Sequence, residues 1–150
     1  MPQVLHRDGP LDAADQRVKD YMNDRLYSVA EANAILPQVR SLVQKMLTAR
    51  AHVLHLQPEL WPAVQAAIFN GGSKSVSEAA RHIIAIQDAI YTLQALNILV
   101  KDINTGLIDF PAERHGQLVF LCWQYDEPSV QFWHDVDSGF AGRQRIDETF

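Results

Sequence analysis

The chain has 150 residues and a mass of 16.9 kDa, the size of one domain with one hydrophobic core. Hydrophobic residues make up 47% and charged residues 21%, which excludes wholesale disorder. The net charge of -5 and the pI near 5.6 argue against a protein that binds nucleic acid, and the single cysteine excludes an intrachain disulfide. We expect a cytoplasmic protein without a membrane partner, because the first residues lack the apolar run of a signal peptide and no stretch reaches the roughly 18 apolar residues of a membrane span.

The chain divides into a polar beginning and one domain. Residues 1–24 contain Gly9-Pro10 and show no sustained apolar periodicity, so we predict a mobile N-terminal arm. Residues 25–150 are predicted to form a single α+β domain, with a helical hairpin over 28–105 and a β-rich acidic segment over 106–142.

A first long helix is predicted to begin after Ser28. In Ser28-x-x-Glu31 the hydroxyl can accept from the third helical amide while the carboxylate reaches back, which is a capping box. Apolar residues then recur at alternating spacings of four and three and predict a helix that ends before Pro58, with 63–69 as a short helical connector. These apolar residues are Ile35, Val39, Leu42, Met46, Ala49, Val53 and Leu56.

A second long helix is predicted to open near Ser75 or Ser77 and to end by Gly106. Its heptad seam includes Asn97, which either sets the register of a helix contact or marks a helix end that faces the acidic segment. A further apolar line lies off the seam and must be covered by the sheet or by a second subunit, because two helices cannot cover both. This line consists of Ile84, Tyr91 and Ile98.

After Gly106 the apolar period changes. The stretches 107–110, 117–124 and 129–136 are rich in Val, Leu, Phe and Trp and are separated by turn residues, which predicts a three-stranded antiparallel meander. The predicted fold class is therefore α+β, a long antiparallel two-helix hairpin packed with a small C-terminal antiparallel β-meander.

The acidic surplus of the chain falls entirely between Gly106 and Gly142. This segment holds six acids and one base, whereas the rest of the chain is balanced. Carboxylates among aromatic strands need a cation, a proton or water. The six acids are Asp109, Glu113, Asp126, Glu127, Asp135 and Asp137.

In the last predicted strand, alternation places His134 on the same face as Phe132 and Val136. An imidazole among apolar neighbours and held by a carboxylate is typical of a metal ligand or a general base. The alternative is a core histidine that donates one hydrogen bond to a backbone carbonyl.

These residues predict a metal or small-ligand site where the sheet meets the helical hairpin. Mixed imidazole and carboxylate ligation suits iron, manganese or zinc, and an open coordination position would permit catalysis, but the pattern assigns no reaction. Asp109 as a strand-end cap and Glu127 as the polar tip of a hairpin are the alternatives. The predicted metal ligands are His134, Asp109, Glu127 and Glu31.

A small-molecule ligand, its identity unassigned, is predicted to contact the same segment. Arg143 follows a turn with two glycines and is the candidate anchor for an anionic group, with an internal ion pair as the alternative. No base adjoins Cys122, which favours a buried hydrophobe over a nucleophile. The other predicted ligand contacts are Trp123, Trp133, Cys122 and Asp135.

The alternative function is a non-catalytic interaction module. In that reading the helix seams and the line of Ile84, Tyr91 and Ile98 form a homodimer or bind a partner helix, and the sheet is structural. The two functions are compatible, because a dimeric helical scaffold can carry a metal site, and we expect a homo-oligomer, a dimer.

The sequence resembles a bacterial family of uncharacterised proteins, domain of unknown function 2203. The resemblance rests on the helical start 28–37 and on the motifs at 106–111, 119–123, 132–135 and 139–143, and it covers about 26–147. It implies a small cytoplasmic bacterial protein with a helical hairpin and a β-rich C-terminal part, and it brings no reaction. The positions that match its motifs are Glu31, Asp109, Cys122, Trp123, Glu127, His134, Gly139 and Arg143.

Overall fold

The computed structural model describes residues 16, 17, 20, 24–70 and 74–150. Two long packed helices are followed by a five-stranded antiparallel sheet, which confirms the predicted α+β fold. Most of the arm predicted for residues 1–24 lies outside the described residues. The elements are α1 (Val29–Asn70), α2 (Lys74–Ala95), β1 (Leu99–Asp102), β2 (Leu107–Arg114), β3 (Gln117–Gln124), β4 (Phe132–Asp135), a 3-10 turn (Phe140–Gly142) and β5 (Gln144–Arg145).

Helix α1 begins at the predicted capping box. The Ser28 amide donates to Glu31 Oε2 at 2.8 Å, and the Glu31 amide donates to Ser28 Oγ at 3.1 Å. The predicted end before Pro58 is wrong, because α1 continues through its prolines to Asn70. Its prolines at 37, 58 and 62 are all exposed, so the helical carbonyls that lose a donor can bind water instead.

Helix α2 is shorter than its apolar seam predicts. Asn97 has a φ of 56°, and the Ile98 amide donates back to the Leu93 carbonyl at 3.0 Å, which is the hydrogen bond of a left-handed helix end. The Asn97 side chain donates to the Arg25 carbonyl at 2.8 Å. Asn97 therefore ends the helix instead of setting a helix contact, and the residues after it form strand β1.

The sheet is a meander in the order β1-β2-β3-β4-β5. Its three middle strands are the predicted ones, and the two short edge strands were not predicted. Strand β2 runs through Pro111, where the predicted strand stopped. The Pro111 carbonyl accepts from the Tyr27 amide at 2.7 Å, on the side of β2 away from β3. Because N–H and C=O of one strand residue point the same way, the missing proline donor removes no hydrogen bond to β3.

The main core lies between the helices and one face of the sheet. Val39, Val43 and Met46 of α1 are fully buried against Phe110 and Trp123 of the sheet. Every second residue of the middle strands belongs to this core, and the residues between them form the opposite face of the sheet.

Neither helix in the described part of the chain is long and apolar enough to span a membrane.

Candidate functional site

The opposite face of the sheet carries the polar group of interest. On β2 the core residues Ile108 and Phe110 flank Asp109, which therefore points away from the helices. Alternation turns Cys122 on β3 and His134 on β4 toward the same side. Asp109 and Cys122 are direct cross-strand partners, so three adjacent strands bring a carboxylate, a thiol and an imidazole together.

Asp109 and His134 form a buried pair. The distance from His134 Nε2 to Asp109 Oδ2 is 2.9 Å, and the two residues are only 3% and 1% exposed. His134 Nδ1 lies 2.7 Å from the Asp135 carbonyl oxygen. A carbonyl only accepts, so Nδ1 carries a proton, and the contact between Nε2 and Oδ2 needs a second one. The pair therefore holds one shared proton, either on the imidazole or on the carboxyl group.

The surroundings decide how strongly His134 holds its proton. Burial alone lowers its pKa, because it disfavours the imidazolium. The hydrogen bonds to the Asp109 carboxylate and the Asp135 carbonyl, together with the charge of Asp109, outweigh burial and raise the pKa of His134 above its ordinary value. These contacts thus favour the protonated form of His134.

Cys122 is a thiol in the metal-free protein. Its side chain is fully buried, and burial, followed by the negative charge of Asp109, raises its pKa to about 12, although Arg143 acts in the opposite direction. A thiolate is the nucleophilic form of cysteine, and His134 is already engaged with Asp109 and Asp135. The geometry does not support an activated cysteine nucleophile.

The three side chains have the arrangement of a metal-binding group. One ligand atom from each of Asp109, Cys122 and His134 lies within 4.8 Å of the other two. Bond lengths of about 2.0–2.3 Å separate the ligands of a tetrahedral site by about 3.3–3.8 Å, so Nε2 and Oδ2, which lie 2.9 Å apart, would move about 0.5 Å further apart around an ion. Asp109 Oδ1 is buried and accepts from no N–H or O–H group of the described residues, so the neighbouring Cys122 thiol is the donor that faces this carboxylate.

Two predicted site residues, Glu127 and Arg143, bind each other beside this group. Arg143 Nη2 donates to Glu127 Oε1 at 2.5 Å and to the Cys122 carbonyl at 3.1 Å. The guanidinium carbon of Arg143 lies 4.2 Å from the centre of the Phe132 ring. Glu127 also accepts from the Gln124 amide at 2.6 Å. The internal ion pair considered for Arg143 is present, and it ties the segment after the 3-10 turn to β3.

The remaining predicted site residues lie elsewhere. Glu31 is exposed and belongs to the capping box of α1. Asp135 contributes its carbonyl to His134, while its side chain is exposed. Trp123 and Trp133 are core residues on the helix side of the sheet. Of the four predicted metal ligands, the structure brings Asp109 and His134 together.

Sequence reasoning did not assign Cys122 to the metal ligands, although a signal for it exists. The turn at His115-Gly116 has positive φ at both residues, as a two-residue hairpin requires. Counting outward from this turn pairs Arg114 with Gln117 and, five residues further on each strand, Asp109 with Cys122. Hairpin register alone therefore places the thiol beside the carboxylate.

Comparison with known proteins gives one finding. A family model described as "Uncharacterized conserved protein (DUF2203)" matches residues 25–146. No curated protein and no solved structure matches the chain.

Proposed function

The chain belongs to the DUF2203 family, whose description names no reaction, and from the geometry of its sheet we propose that it binds one divalent transition metal ion at Asp109, Cys122 and His134. The observation that carries this proposal is the convergence of three buried ligand atoms from three strands. Thiolate and imidazole together favour zinc or iron over manganese.

The contacts of His134 support this assignment. Metal-binding histidines usually donate their other ring N–H to a carbonyl or carboxylate, which fixes the tautomer and the ring orientation. The hydrogen bond from Nδ1 to the Asp135 carbonyl does this and leaves Nε2 as the ligand atom. Nε2 lies beside Asp109, so an ion would replace the shared proton.

The charge of the group also suits a divalent ion. Thiolate and carboxylate carry two negative charges and the imidazole is neutral, so the bound site has no net charge. Burial of a neutral cluster avoids the large desolvation cost of an unpaired ion. Three protein ligands leave a fourth position, which suits a small group such as water because all three ligand side chains are buried. We therefore propose metal binding as the function and leave the reaction unassigned.

The direct test is metal content. Wild-type protein, purified without a nickel column, is expected to hold or take up one zinc or iron ion per chain in elemental analysis. Cys122→Ser and His134→Gln should lose it, because each removes one of three ligands. Glu31→Gln is the matched control, since Glu31 was also a predicted ligand but lies in the capping box. Less than about a tenth of an equivalent in the wild type, with no uptake on addition, would contradict the proposal.

Proton release gives an independent prediction. At neutral pH the metal-free site holds the thiol proton of Cys122, whose pKa is about 12, and the proton shared by Asp109 and His134. Metal binding must displace both, so zinc affinity should rise by at least about tenfold for each unit of pH near neutrality, which is the contribution of the Cys122 thiol alone. Calorimetry in buffers of different ionisation enthalpy measures the number released. A value near zero would show that the ion does not bind these atoms.

A further inference from the structure

The far half of α1 extends beyond the sheet. Arg50 Nε donates to Asn104 Oδ1 at 2.8 Å, and this is the last hydrogen bond along α1 that joins it to the β1–β2 turn among the described residues. The helix continues from Arg50 to Asn70, which corresponds to about 30 Å at 1.5 Å per residue. In this part the described structure packs α1 against α2 alone.

The helix face that packs on the sheet remains apolar beyond it. Leu47 packs against the core, and three large apolar residues follow it at intervals of seven, which keeps them on the same face. We call these three residues, Leu54, Trp61 and Ile68, the distal stripe. The residues are 46%, 66% and 71% exposed in that order, so the stripe begins where the sheet no longer covers the helix.

This half of the helix carries almost no charge, and its one acidic residue lies away from the distal stripe. Between 51 and 70 the only acidic or basic residue besides histidine is Glu59. Glu59 is two residues from Trp61, about 200° around the helix, and so lies on the opposite side. A solvated helix normally carries charges on its outer face, so an uncharged stripe with an exposed tryptophan is typical of an interface.

We propose that the distal stripe is the interface of a homodimer in which two α1 helices pack antiparallel about a two-fold axis at Trp61. Leu54 and Ile68 are each seven residues from Trp61, so the two-fold axis places Leu54 against Ile68 of the partner subunit and Trp61 against its own copy. The stripe can pack on its own copy in this way without placing a charge in the contact, since Glu59 lies on the opposite side of the helix.

The available area is consistent with such an interface. Together with Phe69, which is 85% exposed, the distal stripe leaves on the order of 500 Å² of apolar side chain uncovered per protomer. A standard interface buries about 800 Å² per partner once polar neighbours are included. The predicted line of Ile84, Tyr91 and Ile98 offers less, because Ile98 is fully buried in the core.

Mass measurement tests the dimer. Light scattering is expected to give twice the 16.9 kDa mass of one chain for the wild type at concentrations on the order of 100 µM. Trp61→Glu should give the mass of a single chain with unchanged helicity, because it places two like charges at the axis. Ala66→Glu adds the same charge at an exposed position seven residues from Glu59, on the side of the helix away from Trp61, and should remain dimeric.

The register has its own test. With Trp61→Cys, oxidation should link two chains covalently, whereas Leu54→Cys should link them at least about tenfold less, because Leu54 does not face its own copy. A wild-type monomer, a dimer that survives Trp61→Glu, or a monomer in which iodide cannot quench Trp61 would each overturn the proposal. The last result would mean that another part of the same chain covers the stripe.

Discussion

Asp109→Ala is expected to destabilise the metal-free protein by about 3–5 kcal/mol at neutral pH. The substitution removes the only side-chain partner found for His134 Nε2 among the described residues and leaves a protonatable ring that is 3% exposed. The loss would be measured by urea unfolding in the presence of a chelator. Asp135→Ala is the matched control, since it removes an exposed carboxylate next to His134 but keeps the carbonyl that binds Nδ1, and it should change stability by less than about 0.5 kcal/mol.

Replacing both members of the pair should cost much less than replacing one. Asp109→Val with His134→Leu removes both partners together, and the Asp135 carbonyl keeps its hydrogen bond from the Ser138 amide, so we expect the double variant to unfold within about 1–2 kcal/mol of the wild type. It should bind no metal. If the double variant lost as much stability as the two single variants added together, Asp109 and His134 would stabilise the sheet independently of the hydrogen bond between them.

The pH dependence follows from the raised pKa of His134. The pKa of His134 is higher in the folded protein than the 6.5 of the unfolded chain, so protonation of His134 stabilises the fold. This stabilisation is complete at pH values below 6.5 and is lost as the pH rises through the pKa of the folded protein. The advantage of the metal-free wild type over the double variant should therefore shrink as the pH rises above about 6.5. An advantage that grew with pH would mean that the pair does not hold its proton on the imidazole.

Gly106→Ala is expected to destabilise the protein by about 3 kcal/mol or more. Gly106 has a φ of 69°, which favours glycine, and an added Cβ would lie 2.8 Å from Val43 Cγ1 and 2.9 Å from Tyr125 Cβ. Both strain and crowding therefore oppose the methyl group at the point where the β1–β2 turn meets α1. Urea unfolding measures the effect, and zinc uptake should fall only as far as folding does.

Gly116→Ala separates the two causes. Gly116 also has a positive φ, of 76°, but nothing lies within 4 Å of the position its Cβ would take. It should cost only the backbone strain, about 1 kcal/mol. Equal losses at the two positions would show that the close approach of Gly106 to α1 contributes nothing.

Together these variants separate stability from the proposed function. The double variant at Asp109 and His134 should remain folded without metal, whereas Gly106→Ala should keep the ligands but lose stability. Trp61→Glu should affect neither zinc uptake nor folding, because its effect is on the proposed dimer alone. A protein in which all three properties changed together would have no separable metal site.

Local patterns in the sequence predicted much of the fold. The capping box at Ser28 and Glu31 placed the start of α1 correctly, because a cap depends only on residues three apart. Strand alternation placed His134 on the same face of its strand as Phe132. Asn97 was misassigned to a helix seam, since apolar periodicity does not report the left-handed conformation that ends α2.

The sequence alone determined the two long helices, the three middle strands, the face of His134 and the position of the acidic surplus, because each depends on residues close together in the chain. Only the tertiary structure decided which acids meet His134. Strand pairing brings Asp109 and Cys122 to it across more than ten residues of chain, while Glu127 is held by Arg143 and Glu31 by its own helix. Such choices depend on register and on competing partners, which local patterns do not encode.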